Sequence, residues 1–156
     1  MKPGGSSVKW CSVIVLAFVV ACAPDADFGY ADGSSGHYAD WHGRWVVLNY
    51  WAEWCEPCRA EIPELNALYQ ETDRHRVLVV GINFDGLQSD DLAALVEKMR
   101  IEYPVIGTDP RKHFGYGLPT VLPTTVIIDP AGKVAATLVG PQTRESLEDA
   151  LGISAS

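Results

Sequence analysis

The chain has 156 residues, a length that fits one domain, and 47% of them are apolar, enough to bury a core. Twelve basic residues stand against 20 acidic ones, a net charge of -8. That balance argues against a nucleic-acid partner, which needs patches of Lys and Arg to meet phosphates.

Residues 1–9 hold Lys2 and Lys9 and no acid, and residues 10–21 form an apolar run. A basic start followed by about 7–15 apolar residues is the pattern of a secretory signal peptide. A membrane-spanning helix needs about 20 apolar residues, so the run is short for one. Segment 1–21 is therefore expected to be a cleaved export signal, with an uncleaved anchor as the alternative. Val19-Val20-Ala21-Cys22 closes the run and resembles the lipobox of bacterial lipoproteins. That likeness implies Cys22 as a lipid attachment site; otherwise it is an incidental cysteine near an ordinary cleavage point. Residues 22–41 are rich in Asp, Gly, Ser and Ala. They read as a tether that becomes ordered around Tyr38–Trp45, with the folded domain over 42–156.

Trp45–Ala52 is an apolar, β-branched and aromatic run, which predicts a buried strand. From Glu56 to about Thr72, Ile62, Leu65, Leu68 and Tyr69 recur at helical spacing. Pro57 suits the first turn of that helix, and Pro63 should kink it. Val77–Phe84 is a second buried strand. Ser89 opens a helix to about Arg100, with Leu92, Leu95, Val96 and Met99 on one face. A short strand at Val105–Ile106 and a helical turn near Lys112–Tyr116 follow. Thr124–Ile128 and Lys133–Val139 read as a hairpin about Asp129-Pro130-Ala131-Gly132. Thr143 caps a closing helix to about Leu151. Strands alternating with helices, then a hairpin and a helix, predict an α/β fold with a mixed central sheet and helices on both faces.

Of four cysteines, Cys11 and Cys22 lie in the leader region, while Cys55 and Cys58 are separated only by Glu56 and Pro57. The segment Trp54-Cys55-Glu56-Pro57-Cys58 sits where a buried strand hands over to a helix. A cysteine at a helix N-terminus faces unpaired N–H groups and the positive end of the helix dipole. Both favour the thiolate, the nucleophile of disulfide exchange, so Cys55 is expected below the ~8.5 of a free thiol and is expected to be the exposed member of the pair. Cys58, a turn further in, can resolve the mixed disulfide. Glu56 opposes a thiolate by its charge but suits the first turn, so its net effect is open. The bland readings of the pair are a structural disulfide or half of a metal site. A metal site is not expected, since His37, His42, His75 and His113 lack ligand spacing. Pro123, just before a strand, is awkward inside a sheet unless it ends pairing there or is cis. Pro119 is a rival four residues further from the strand, and the bland reading of either is an ordinary turn proline.

Trp51-Ala52-Glu53-Trp54-Cys55-Glu56-Pro57-Cys58-Arg59 resembles the active-site segment of thioredoxins. Cys55 through Pro63 is more similar to the TlpA/ResA-type exported reductases. Val121-Leu122-Pro123-Thr124 and the hairpin after it resemble that family's cis-proline loop. The resemblance spans roughly residues 42–152. It implies a thioredoxin fold, a cis Pro123 beside the cysteines, and a Leu122 backbone that pairs with a substrate peptide. It implies reduction of exported protein disulfides, apocytochrome c among them, with electrons from a membrane-embedded thiol reductase. No cofactor is expected, because the dithiol is the redox centre. Two departures stand out. Asn49 occupies the place of a buried acid in cytoplasmic-type thioredoxins, so proton transfer to Cys58 cannot use that group. Some members of the family place an acid after the second central strand, and that resemblance implies Asp85, the nearest such acid, as the proton acceptor for Cys58; otherwise it is a loop acid after a strand. The family's N-terminal hairpin also looks shortened.

The leading reading is thus a membrane-tethered reductase of exported proteins. An oxidase or isomerase is the alternative within redox chemistry, because potentials in this superfamily run from about -270 to about -120 mV. The reductase reading gains from the short Asp85–Asp90 connection, which leaves no room for a large helical insertion. A client-binding module without turnover is the alternative from another class.

Overall fold

The computed structural model describes Met1 and residues 25–153. Residues 2–21 of the expected export signal, and Cys22, lie outside the described residues. A small hairpin of β1 (Phe28–Gly29) and β2 (Ser35–Gly36) comes first, followed by a 3-10 turn at Tyr38–Trp41. Then come β3 (Trp45–Trp51), α1 (Glu56–Glu71), β4 (Val77–Asn83), α2 (Ser89–Met99) and β5 (Val105–Ile106). The chain ends with α3 (Arg111–Phe114), β6 (Thr124–Ile128), β7 (Val134–Val139) and α4 (Arg144–Leu151).

The main sheet has the order β5-β4-β3-β6-β7. Strand β3 is central, parallel to β4 and antiparallel to β6. Both of its faces are covered, which is why its sequence is a continuous apolar run rather than an alternation. Val47 and Trp51 join the core beneath α1, α2 and α4. Val46, Leu48 and Tyr50 join a second core, shared with Trp41 of the 3-10 turn and flanked by Phe114 of α3. The sheet is mixed and carries helical structure on both faces, as expected.

Helix α1 begins directly after β3, with Cys55 as its N-cap and Pro57 in its first turn. It continues through Pro63 as one element to Glu71. Thr143 caps α4 through a reciprocal pair of hydrogen bonds with Ser146.

The tether expectation over 22–41 is corrected from Asp27 onward. Asp27 N–H donates to Gly36 O, and the Asp27 carboxylate accepts from Tyr38 N–H. Ala31 N–H donates to Val105 O, and Gly107 N–H to Gly29 O, so the hairpin is stitched to the β5 edge. Phe28 is buried, with its ring 4.9 Å from Tyr38 and 5.1 Å from Trp41. A Cβ at position 36 would lie 2.8 Å from the Phe28 ring, so any larger residue there would force that ring to move. A few aromatic anchors override a composition that is otherwise linker-like.

Candidate active site

The turn Ala52–Cys55 carries the chain from the C-terminal end of β3 into α1, closed by Cys55 N–H donating to Ala52 O at 3.3 Å. Cys55 and Cys58 are joined as a disulfide, with their Cα atoms 5.3 Å apart. Cys55 Sγ accepts from Cys58 N–H at 3.2 Å, so the helix N-terminus points an unpaired donor at this sulfur. That is the arrangement that lowers a thiol's pKa. The sequence made Cys55 the exposed cysteine. The structure buries both, at 4% and 1% exposure, with Cys55 the more accessible. Trp51 and Ala52 pack in the same core as the pair.

Trp54 is 64% exposed beside Cys55. Its indole N–H donates to both carboxylate oxygens of Asp85, at 3.1 and 3.2 Å. Asp85 is itself exposed, on the β4–α2 connection. The structure thus places Asp85, the expected acceptor of the Cys58 proton, in solvent and in contact with Trp54. Glu56 and Pro57 lie exposed on the first turn of α1. Arg59 reaches back to Glu53 O at 3.2 Å and braces the turn before the cysteines.

The acid that sequence reasoning missed is Glu61. It follows Cys58 by three residues, which puts it on the same face of α1 one turn on. It is 1% exposed and is the only buried acid among the described residues. Asn49 Nδ2 donates to Glu61 Oε2 at 2.8 Å, and Gln142 N–H donates to Oε1 at 2.8 Å. Burial pushes its pKa up to about 7, against the pull of those two donors. The available signal was an acid between Cys58 and Ile62 on the helix face that points inward.

The Leu122–Pro123 peptide bond is cis. Pro123 is buried, and its carbonyl accepts from Gly140 N–H at 2.9 Å. Leu122 is half-buried and packs against the core that holds both cysteines. The loop before it exposes Leu118 and Val121. No group of three His, Cys, Asp or Glu side chains that could hold a metal occurs among the described residues. None of their helices is long and apolar enough to cross a membrane.

A vicinal cysteine pair capping a helix, with a buried carboxyl of near-neutral pKa behind it, can take up and release two electrons and move a proton. The sequence profile of the AhpC/TSA family, a thioredoxin-like family, matches residues 19–137. The chain belongs to the AhpC/TSA family. Within it, the chain is 31% identical over 134 residues to the thiol-disulfide oxidoreductase ResA of Geobacillus thermodenitrificans, covering 85% of this chain and 76% of the relative. Among solved structures, a DsbF homologue from Corynebacterium diphtheriae matches at a TM-score of 0.68 and 27% identity, over 81% of this chain and 83% of that one. The pneumococcal exposed lipoprotein thioredoxin Etrx1 from Streptococcus pneumoniae matches at 0.63 and 27% identity, over 80% and 96%. This member of the AhpC/TSA family has the thioredoxin fold and is a thiol-disulfide oxidoreductase of ResA type.

Proposed function

We propose that this oxidoreductase reduces disulfides of exported proteins, held to a membrane surface by a lipid on Cys22 and recharged by a membrane-embedded thiol reductase. The observation that carries the chemistry is the Cys55–Cys58 pair at the start of α1, backed by buried Glu61. The Cys55 thiolate attacks one sulfur of the client disulfide. That bond breaks, and the other client sulfur leaves as a thiolate and takes a proton from water. Glu61 accepts the proton of Cys58 through a local rearrangement or a bridging water. The Cys58 thiolate then attacks the Cys55 sulfur, Cys55–Cys58 forms, and the second client sulfur leaves. The client gains two electrons and the pair loses two. No cofactor takes part in these steps.

Leu122 and Pro123 are the client-binding residues of this reading, with the Leu122 backbone pairing with the client chain as a strand would. Trp54 beside Cys55 offers exposed apolar surface, and the loop before the cis proline exposes Leu118 and Val121. The short connection between β4 and α2, Phe84–Gln88, supports the reductive direction, because it holds no inserted helical unit. The basic and apolar leader, Cys22 at its end, and the likeness to an exposed lipoprotein support the location. Apocytochrome c is one client class that the TlpA/ResA resemblance brings with it.

The deciding test is the reduction potential of Cys55–Cys58, by equilibration with glutathione or dithiothreitol on protein lacking residues 1–22. A value at or below about -230 mV supports a reductase. A value near about -120 mV makes the protein an oxidant of exported thiols. For the anchor, Cys22→Ser moves the protein from the membrane fraction to the soluble fraction, and an unchanged distribution removes Cys22 as the attachment site.

A further inference from the structure

Behind the cysteines lies a polar cluster that the exchange steps use only in part. Asn49 on β3, Thr125 on β6 and Glu61 on α1 are all buried. Asn49 and Thr125 face each other in the β3–β6 ladder, so the sheet register fixes their approach. Asn49 Nδ2 donates to Glu61 Oε2 at 2.8 Å and to Thr125 Oγ1 at 3.2 Å. An amide nitrogen carries two hydrogens, and both are spent here. The other carboxylate oxygen of Glu61 accepts from Gln142 N–H at 2.8 Å. One side chain thus ties the helix that carries the cysteines to the strand that leaves the cis-proline loop.

We propose that Asn49 is a positioning residue that fixes the orientation of the Glu61 carboxyl and sets its proton affinity. Its bearing on catalysis rests on the reading of Glu61 as the acceptor of the Cys58 proton. The chemistry of the amide is what suits it to the place. It donates to the carboxylate and so favours the ionised form, yet it brings no charge of its own. Without that donor, the buried carboxyl holds its proton to higher pH, and while it stays protonated it cannot accept another. With a second carboxyl at position 49, the two acids share one proton. An Asn holds Glu61 between those extremes, able to gain and lose a proton near neutrality.

The groups facing Glu61 leave few rivals for this role. From α1 itself, Cys58 precedes it by a turn, and Glu64 follows with its carboxylate accepting from Arg144 N–H. The Arg144 guanidinium is paired with Glu71 and Glu145. Tyr103 is buried, its phenol pushed up first by burial and then by the charge of Glu61. From β3 and β6, Asn49 and Thr125 present no titratable group.

The test follows the Glu61 carboxyl directly, by carbon NMR of protein labelled at the Glu side-chain carboxyl, in the disulfide form. Glu61→Gln assigns the signal. Asn49→Leu removes the donor at similar volume and moves the midpoint up by about one pH unit or more. Asn49→Asp keeps the shape, so it stands in if the Leu variant fails to fold, and it splits the titration into two steps spread around the wild-type midpoint. A midpoint that stays within error of wild type in the folded variants overturns the proposal. The pH profile of thiol-disulfide exchange is the second readout. It moves with the carboxyl in Asn49→Leu and does not move when Glu61→Gln is already present. A carboxyl that shifts while the exchange profile stays fixed supports the clamp and instead removes Glu61 as the proton acceptor.

Discussion

Glu61 holds its proton in the folded protein up to about pH 7, because burial penalises the carboxylate. The unfolded chain releases that proton near the ordinary value of 4.5. Between these values the folded state binds more protons, so its stability is full below about pH 4.5 and falls as the pH rises through 7. The span corresponds to about 3 kcal/mol. Urea unfolding of the disulfide form at pH 5 and pH 8 should record that loss, and Glu61→Gln should flatten it. Asp85 makes the opposite case. Asp85→Asn is expected to leave the cysteine titration in place while altering Trp54 emission, because the carboxylate contacts the indole and not the inner thiol. Cys58→Ser should trap a Cys55 mixed disulfide with a client peptide, seen as a stable adduct by mass spectrometry. The cysteine pair was legible in the sequence because its chemistry is written in five consecutive residues. Glu61 was not, since an acid on a helix reads as solvated until the phase of the inward face is known. The Trp54 contact of Asp85 was not legible either, because nearness to a strand end says nothing of which way a side chain points.

At the scale of elements, the strands and helices from Trp45 to Leu151 follow from apolar runs and helical spacing, with ends within a residue or two of the reading. The N-terminal hairpin does not. Its strands have two residues each, too few for any periodicity, and its Gly, Ser and Asp content imitates a linker. What holds it is long-range: the Phe28, Tyr38 and Trp41 rings and the hydrogen bonds to the β5 edge. Phe28→Ala should therefore cost about 3–5 kcal/mol, measured as a drop in the urea midpoint with the slope unchanged. A chain starting at residue 42 should be weaker than one starting at residue 25. The cap of α4 calibrates these numbers. Thr143→Ala removes the acceptor of Ser146 N–H and should cost about 1 kcal/mol.

Across the whole molecule the charge is -8, and Glu56 and Asp85 are both exposed at the rim of the cysteine site. Glu53 is paired with Lys98 nearby and Arg59 is turned back onto Glu53 O, so among the described residues neither Glu56 nor Asp85 forms an ion pair. A negative rim on a negative protein attracts cations over a Debye length of about 8 Å at physiological salt. Disulfide peptides of net positive charge should react faster than acidic ones of equal length, and the gap should close as salt is raised. Stopped-flow rates at two ionic strengths check this. The order of the sheet bears on how the chain comes to be folded at all. Strand β3 is the central strand, yet one of its two neighbours, β6, lies some 80 positions later, with Val46 opposite Ile128. A growing or threaded chain therefore carries its most apolar strand with one side unclosed until nearly its last helix has arrived. Folding is deferred by topology, and a nascent chain stopped short of β6 should expose that strand to any protease or holdase that meets it.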